Sequence, residues 1–366
     1  MKNILLIFTG GTICSCASEQ TNKNQSCAKQ TSSMLVENYK NSASPVKDEI
    51  EFIPRFLKQD ILSENMTVDS INEIIDIFRD KKTIDACKGV IILHGTDTLA
   101  YTSSILAVAL AGINVPVCLV SAQLDLKQPK TNGFDNFRAS VELIANGICP
   151  NVYVVYRNLK NKNHDPGDML VHYGAHLQQC PNYSNNFYSV DQMLIKDTSN
   201  AKLKGRAFET NDRYFEKFKK LTQDVMLIMP YTNLRYTNIN LDGVCAIVHG
   251  TYHSQSVCIG RVENAQKNKE HNVTLEEVLE SDRPYSILTL IKACKEKNIP
   301  VILSPCNEEE YTYSTTANAL FAGAMAIANT TFELAQAKVI LGCSLNKKDA
   351  ELKAFLKKSI NYEFVY

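Results

Sequence analysis

The sequence predicts an α/β protein, with a large N-terminal domain built on a mostly parallel sheet flanked by helices and a smaller C-terminal α/β domain. Three observations predict it. Unbroken apolar runs of strand length recur, as at residues 3–8, 89–93, 115–120 and 152–156, and a run without alternation marks a strand covered on both faces. Segments with apolar residues three and four apart fall between these runs. The length, 366 residues, exceeds what most single cores fill, which favours one larger and one smaller unit.

The elements follow in order. Residues 3–8 make the first strand and stop at Gly10-Gly11. Residues 15–33, rich in Ser, Thr, Asn and Gln, lack apolar periodicity and read as a mobile loop. A strand at 50–53 precedes a helix at 67–81, which carries Ile71, Ile74, Ile75, Ile77 and Phe78 and is capped by Thr67 or Asp69. Strand 89–93, helix 99–110, strand 115–120, helix 134–145 and strand 152–156 complete an alternation that implies right-handed crossovers. Residues 158–186 are polar and turn-rich, and 193–207 read as irregular or hairpin structure. The charged stretch 211–221 has no strand pattern, so a linker at 211–222 separates domains 1–210 and 223–366. The second domain offers strands 225–229, 244–248 and 300–303, helices 285–297, 316–328 and 331–341, and a surface helix at 347–358.

Composition narrows the function classes. Basic and acidic residues balance at 39 each, which asks for neither nucleic acid nor an anionic membrane as partner. The first apolar run is too short for a signal segment and has no small-residue cleavage pattern. No stretch approaches the roughly 20 apolar residues of a membrane span. A cytoplasmic location is expected. The twelve cysteines are scattered, several inside apolar runs such as Cys118 and Cys245, and read as reduced core residues. Cys14 and Cys16 lack a second pair at zinc spacing, and neither metal nor cofactor is expected.

The residues that carry chemistry lie where two buried strands end. Residues 2–12 read KNILLIFTGGT and residues 89–98 read GVIILHGTDT. In an open α/β sheet, ligands gather just beyond the carboxyl ends of the strands. Glycine beside threonine lets the backbone approach a ligand while the hydroxyl stands at the rim. Neither turn has the lysine of a P-loop or the spacing of a dinucleotide fingerprint. Taken singly, each also reads as a plain strand-to-loop turn. Taken together they offer Thr12, Thr96 and Asp97. A threonine hydroxyl attacks only when a base or a polarising network holds its proton, and a neighbouring aspartate supplies one member of such a network.

Thr9-Gly10-Gly11-Thr12-Ile13 and His94-Gly95-Thr96-Asp97-Thr98 resemble the two signature motifs of the bacterial-type L-asparaginase/glutaminase family, in matching order and separation. Between them, Ser63-Glu64-Asn65-Met66-Thr67 resembles the family's short substrate-binding segment, and Ser121-Ala122-Gln123 the stretch after its fourth core strand. The resemblance spans the chain and is strong through about Ala145. It implies hydrolysis of L-asparagine to L-aspartate and ammonia by a cytoplasmic homodimer or homotetramer. In that reading Thr12 attacks the carboxamide to form an acyl-enzyme, while Thr96 and Asp97 polarise the nucleophile or water. Gly11, Ser63, Glu64, Gly95 and Ala122 would line the substrate, although Ser63 and Glu64 also read as the entry to the following helix. Other amides, among them glutamine presented to an amidotransferase partner, and silent binding of asparagine or aspartate remain as alternatives.

The chain departs from that family at two points. A lysine is usual on the hairpin after the fifth strand, yet residues 170–179 read LVHYGAHLQQ. His172 or His176 stands there instead, as a substitute proton shuttle or as a solvated loop residue. A tyrosine is usual about a dozen residues beyond the first threonine, where this chain has Gln25, with Ser15, Ser18 and Thr21 as neighbouring hydroxyls. In the second domain a buried run ends in His249-Gly250-Thr251-Tyr252-His253-Ser254. The resemblance sets this turn near a neighbouring subunit's site, which makes His249, Tyr252, His253 and Ser254 candidates for a subunit-interface pocket. As metal ligands the two histidines lack a nearby third partner.

Overall fold

In a computed structural model the opening apolar run forms β1 (Lys2–Gly10), buried from Ile4 onward. The structure describes residues 1–17, 24–196, 202–222, 224–260, 284–306 and 313–365, with the backbone alone at 16, 17 and 24–26. Two compact units divide the chain: Met1–Leu221 with Ile360–Glu363, and Thr222–Ser359 with Phe364–Tyr366.

In the first unit β1 leads to a ribbon of β2 (Ser15–Ala17) against β3 (Asn24–Ser26), and then to α1 (Ala28–Lys40). This corrects the loop expected over 15–33 at residues 15–17 and 24–33, while residues 18–23 lie outside the described residues. The helix buries Ala28, Thr31, Ser32, Leu35 and Tyr39, and the Thr31 hydroxyl donates to the Cys27 and Ala28 carbonyls, 3.1 Å each. A polar sequence thereby buries a face without losing hydrogen bonds. Cys27, at the N-cap of α1, is disulfide-bonded, whereas ten other cysteines among the described residues are in no disulfide. The all-reduced expectation fails at a half-buried turn residue outside the apolar runs.

The rest alternates: β4 (Ile50–Ile61), α2 (Val68–Arg79), α3 (Lys81–Asp85), β5 (Gly89–Leu93), α4 (Leu99–Ala109), β6 (Val117–Val120), α5 (Gly133–Ala145) and β7 (Val152–Leu159). β8 (Pro166–Tyr173) and β9 (Met193–Ile195) then complete a seven-stranded sheet of order β4-β1-β5-β6-β7-β8-β9. The first five strands in that order are parallel, and β8 and β9 are antiparallel additions. β4 outruns the expected 50–53 because it needs pairing on one side only, and an edge position tolerates Pro54. β1 and β5 lie side by side, buried among aliphatic neighbours. Residues 211–221, expected as a linker, pack within this unit instead. Arg79 of α2 donates to the carbonyls of Phe215 (2.9 Å), Phe218 (2.6 Å) and Lys219 (3.0 Å).

The second unit holds β10 (Val225–Ile228), β11 (Ala246–His249), α6 (Ile287–Glu296), β12 (Val301–Cys306), α7 (Ser314–Phe321), β13 (Met325–Ala328), α8 (Phe332–Ser344) and α9 (Asp349–Lys357). Its four strands form a parallel sheet in chain order. The expected helix at 316–328 is a helix followed by a strand. Gly323, at φ 117°, ends the helix, and pairing with β12 fixes the strand. Among the described residues no helix is long and apolar enough to cross a membrane.

Candidate active site

Three adjacent parallel strands, β4, β1 and β5, deliver the candidate residues to one edge of the larger sheet. Strands in a sheet lie about 4.8 Å apart, so the segments leaving their carboxyl ends must meet. They meet through glycine. Register slips between Phe8 and Gly10, where β1 pairs with β4. Gly10 (φ 123°) passes so near β4 that a methyl group on it would lie 2.0 Å from the Ile61 carbonyl oxygen, and the Gly11 amide donates to that oxygen at 3.0 Å. A methyl group on Gly11 (φ 75°) would lie 2.2 Å from the Gly95 Cα, and one on Gly95 would lie 2.3 Å from the Ser63 Oγ. The two threonine turns are thus in backbone contact. Each threonine of interest follows its touching glycine by one residue.

Ser63 binds the second turn to the end of β4. Its hydroxyl donates to Asp97 Oδ2 (3.2 Å) and accepts from the Asp97 amide (3.2 Å). Its carbonyl accepts from the Thr98 hydroxyl (2.8 Å). Ser63 is buried, Thr12 and Thr96 are half-buried, and Asp97 and Glu64 are exposed. A rim of hydroxyls and carboxylates over a buried floor suits a small polar ligand. Behind the rim, Thr9 donates its hydroxyl to the Leu93 carbonyl (2.8 Å), tying β1 to β5. The buried His94 donates Nδ1–H to the Gly95 carbonyl (2.7 Å), and burial pushes its pKa down to about 4, which keeps the ring neutral. Ser15 donates its hydroxyl to the Gly11 carbonyl (2.8 Å). Ser18, Thr21 and the Gln25 side chain lie outside the described residues.

Gln179 is the residue that the sequence reading passed over. Its amide donates Nε2–H to the Thr96 carbonyl (2.9 Å), and its Oε1 accepts from the Ala100 amide (3.4 Å). It ends the stretch where a lysine was expected, so its position was the available signal. Among the described residues no ion pair engages Asp97. The two histidines of that stretch are buried, not solvated. His172 Nδ1 meets the Ser189 hydroxyl (2.8 Å), and His176 faces the Val190 (3.2 Å) and Tyr362 (2.7 Å) carbonyls. Burial drives the His172 pKa down to about 3. Neither ring is bonded to Thr12, Thr96 or Asp97 among the described residues.

Ala122 is fully buried just after β6, beside Gln123, which exchanges two hydrogen bonds with Asn132 (3.1 and 3.0 Å). In the second unit His249 repeats the arrangement of His94. It ends a parallel strand, is buried, donates Nδ1–H to the next carbonyl (2.5 Å), accepts from the Tyr236 hydroxyl (2.9 Å) and has its pKa lowered to about 4 by burial. Tyr252 donates to the Tyr231 carbonyl (3.2 Å), while His253 and Ser254 are exposed. Among the described residues no group of three or more His, Cys, Asp or Glu is arranged to hold a metal.

Fold and edge together define an α/β protein with a threonine- and carboxylate-lined candidate site where the parallel strands of its larger sheet end. A family model described as "Asparaginase, N-terminal" matches residues 3–202, and the chain belongs to the asparaginase family. It is 30% identical over 157 residues to L-asparaginase 1 of Escherichia coli (strain K12), covering 43% of this chain and 44% of that protein. It is 26% identical over 209 residues to one subunit of the glutamyl-tRNA(Gln) amidotransferase of Methanopyrus kandleri, covering 56% of this chain and 43% of that protein. The matches span less than half the length of these curated relatives. The thermostable L-asparaginase from Thermococcus kodakarensis shares the fold, with a TM-score of 0.72 at 18% identity over 100% of this chain and 99% of that one.

Proposed function

We propose that this chain is an amidohydrolase that hydrolyses the side-chain amide of L-asparagine, with Thr12 as nucleophile. The observation that carries the reading is the contact of Gly11 with Gly95, the glycines one residue before Thr12 and Thr96. Thr12 Oγ attacks the carboxamide carbon, its proton passes to the departing nitrogen, and ammonia leaves an ester on Thr12 that water hydrolyses to aspartate. The Gly11 amide is committed to Ile61, whereas those of Gly95 and Thr96 meet no acceptor among the described residues and suit an oxyanion. Asp97 and Glu64, exposed at the rim, and Ser63 bind the amino-acid end of the substrate. Gln179 steadies the Thr96 turn but, being neutral, is no substitute for a lysine as proton acceptor. Assembly as a homodimer or homotetramer, with His249–Ser254 beside a neighbouring subunit's site, belongs to the same proposal.

The relatives named as amidotransferase subunits favour one second reading, release of ammonia from a different amide. Ammonia release from L-asparagine, L-glutamine, D-asparagine and a peptide-linked asparagine separates the two. The expected result is turnover of L-asparagine that Thr12→Ala lowers by at least about a thousandfold. Turnover of glutamine alone moves the assignment to the second reading. Folded protein inert on all four amides, yet stabilised against heat by aspartate, marks a binding protein and defeats both.

A further inference from the structure

Most backbone groups of the turn that ends β5 are held by other parts of the first unit. The His94 amide donates to the Val120 carbonyl (2.9 Å), and the Asp97 amide donates to the Ser63 hydroxyl (3.2 Å). The Leu93 carbonyl accepts from the Thr9 hydroxyl (2.8 Å), and the Thr96 carbonyl from the Gln179 side-chain amide (2.9 Å). The Gly95 carbonyl accepts from the ring of its own neighbour, His94 (2.7 Å). From His94 to Asp97, the amides left without an acceptor among the described residues are those of Gly95 and Thr96. The geometry points to His94 as a positioning residue, whose ring turns the Gly95–Thr96 peptide so that the Thr96 amide faces the carbonyl oxygen of the substrate amide. The role rests on the amidohydrolase reading, in which that oxygen becomes the oxyanion.

The ring acts through a single peptide unit. A carbonyl oxygen only accepts, so Nδ1 carries the hydrogen and directs it at Gly95. His94 is fully buried, so its bond draws that carbonyl toward the interior. The Gly95–Thr96 peptide is trans and planar, and in such a unit the C=O and N–H bonds point in opposite directions. A carbonyl drawn inward therefore sends the Thr96 amide outward, at the edge where Gly11 and Gly95 bring the two threonine turns into contact. A donor aimed before the reaction stabilises developing charge without reorganising, which is where an oxyanion site gains most. The second unit has the same bond with a different outcome. There His249 holds the Gly250 carbonyl, but the Gly250 amide is committed to the Ile228 carbonyl (2.8 Å) and Nε2 to the Tyr236 hydroxyl (2.9 Å). His94 Nε2 has no partner among the described residues, and the bond from Nδ1 is what the ring contributes.

The test separates the two ring nitrogens in the full-length protein. Asparagine carries its side-chain amide nitrogen on the same carbon that bears Nδ1 in histidine, whereas glutamine carries it one carbon further out, near the place of Nε2. With L-asparagine as substrate, His94→Asn is expected to keep kcat within about tenfold of wild type. His94→Gln is expected to lower kcat about a hundredfold, with KM and the melting temperature close to those of His94→Asn. A purely structural histidine would make the two variants lose alike, or lose through KM or folding, and any of these results overturns the proposal. Isotopic labelling of the threonine amides reads the same point without turnover. Added aspartate is expected to move the Thr96 amide proton downfield in wild type and in His94→Asn, and to leave it in place in His94→Gln. Wild type inert on every amide defeats the hydrolase reading alone. The Thr96 shift then still decides the positioning role, upheld by that pattern and overturned if the proton stays in wild type or moves equally in all three proteins.

Discussion

The contact that makes the site lies between two residues without side chains. Gly11 has a positive φ and no room for a methyl group against the Gly95 backbone, so neither strain nor clash can relax cheaply. Gly11→Ala is expected to destabilise the first unit by about 3 kcal/mol, measured by urea unfolding. Gly95→Ala would press on both the Oγ and the Cβ of Ser63 and on the Gly11 backbone, and rotation of the serine moves only its Oγ. It should therefore also cost stability while breaking the bond from Ser63 to Asp97, seen as a rise in KM for the proposed amide substrate. Wild-type stability in Gly11→Ala would refute the close approach. Gln179→Leu removes the donor to Thr96 and is expected to lower kcat about tenfold to a hundredfold with the melting temperature little changed. An unchanged kcat would show that the Thr96 turn needs no such support. Thr12, Thr96 and Asp97 were legible in the sequence because each sits in a local strand-and-glycine signal. Gln179 was not, since it reaches Thr96 only through the fold of β7 and β8, eighty-three residues along the chain.

At the scale of elements, the strands that carry the site were readable because both faces are covered and their sequences are unbroken aliphatic runs. The misread elements each lacked that constraint. α1 is stabilised by a face in which threonine and serine are buried, so hydropathy alone does not mark it. β8 runs from an exposed, polar start into a buried end, and pairing with β7 decides its conformation. β13 is spelled Met-Ala-Ile-Ala, good helix formers that become a strand beside β12, an instance of tertiary context overriding propensity. The stretch 211–221 looked like a linker because its own apolar content is low, yet one arginine anchors it. Arg79 gives three hydrogen bonds to its carbonyls and stacks over the Phe218 ring at 5.2 Å. Arg79→Ala is expected to cost about 2 kcal/mol, and Arg79→Lys nearly as much, because an ammonium cannot reproduce the planar fork. Hydrogen exchange localises the effect: faster exchange confined to 214–221 supports the anchor, and unchanged exchange there contradicts it.

Across the whole molecule, the chain returns late to its first unit. Asn361 exchanges hydrogen bonds with Asn151 at 2.9 Å, and the Tyr362 carbonyl meets His176. The stability of that unit is therefore shared by residues from both ends of the sequence, and so is its response to acid. His94 and His172 are held neutral by burial, with pKa values lowered from 6.5 to about 4 and about 3. The unfolded chain binds their protons as pH falls below 6.5 while the native state does not, so acid favours unfolding. The penalty is absent above that pH, grows as pH falls from 6.5 toward 4, and levels off only below the native values. With two such protons the unfolding free energy should fall by up to about 2.7 kcal/mol per pH unit in that window. His249, at about 4, adds the same effect, at half that slope, in the second unit. The lowered carboxylates Glu49, Asp80 and Asp165 contribute only near and below their ordinary range, so the upper window belongs to the histidines. Urea unfolding followed at about pH 7.5, 6 and 5 should show the loss, and His172→Gln should flatten it by about one proton. Curves for wild type and His172→Gln that stay parallel across this range would mean that His172 is protonated in the native protein and that the buried ring is not neutral.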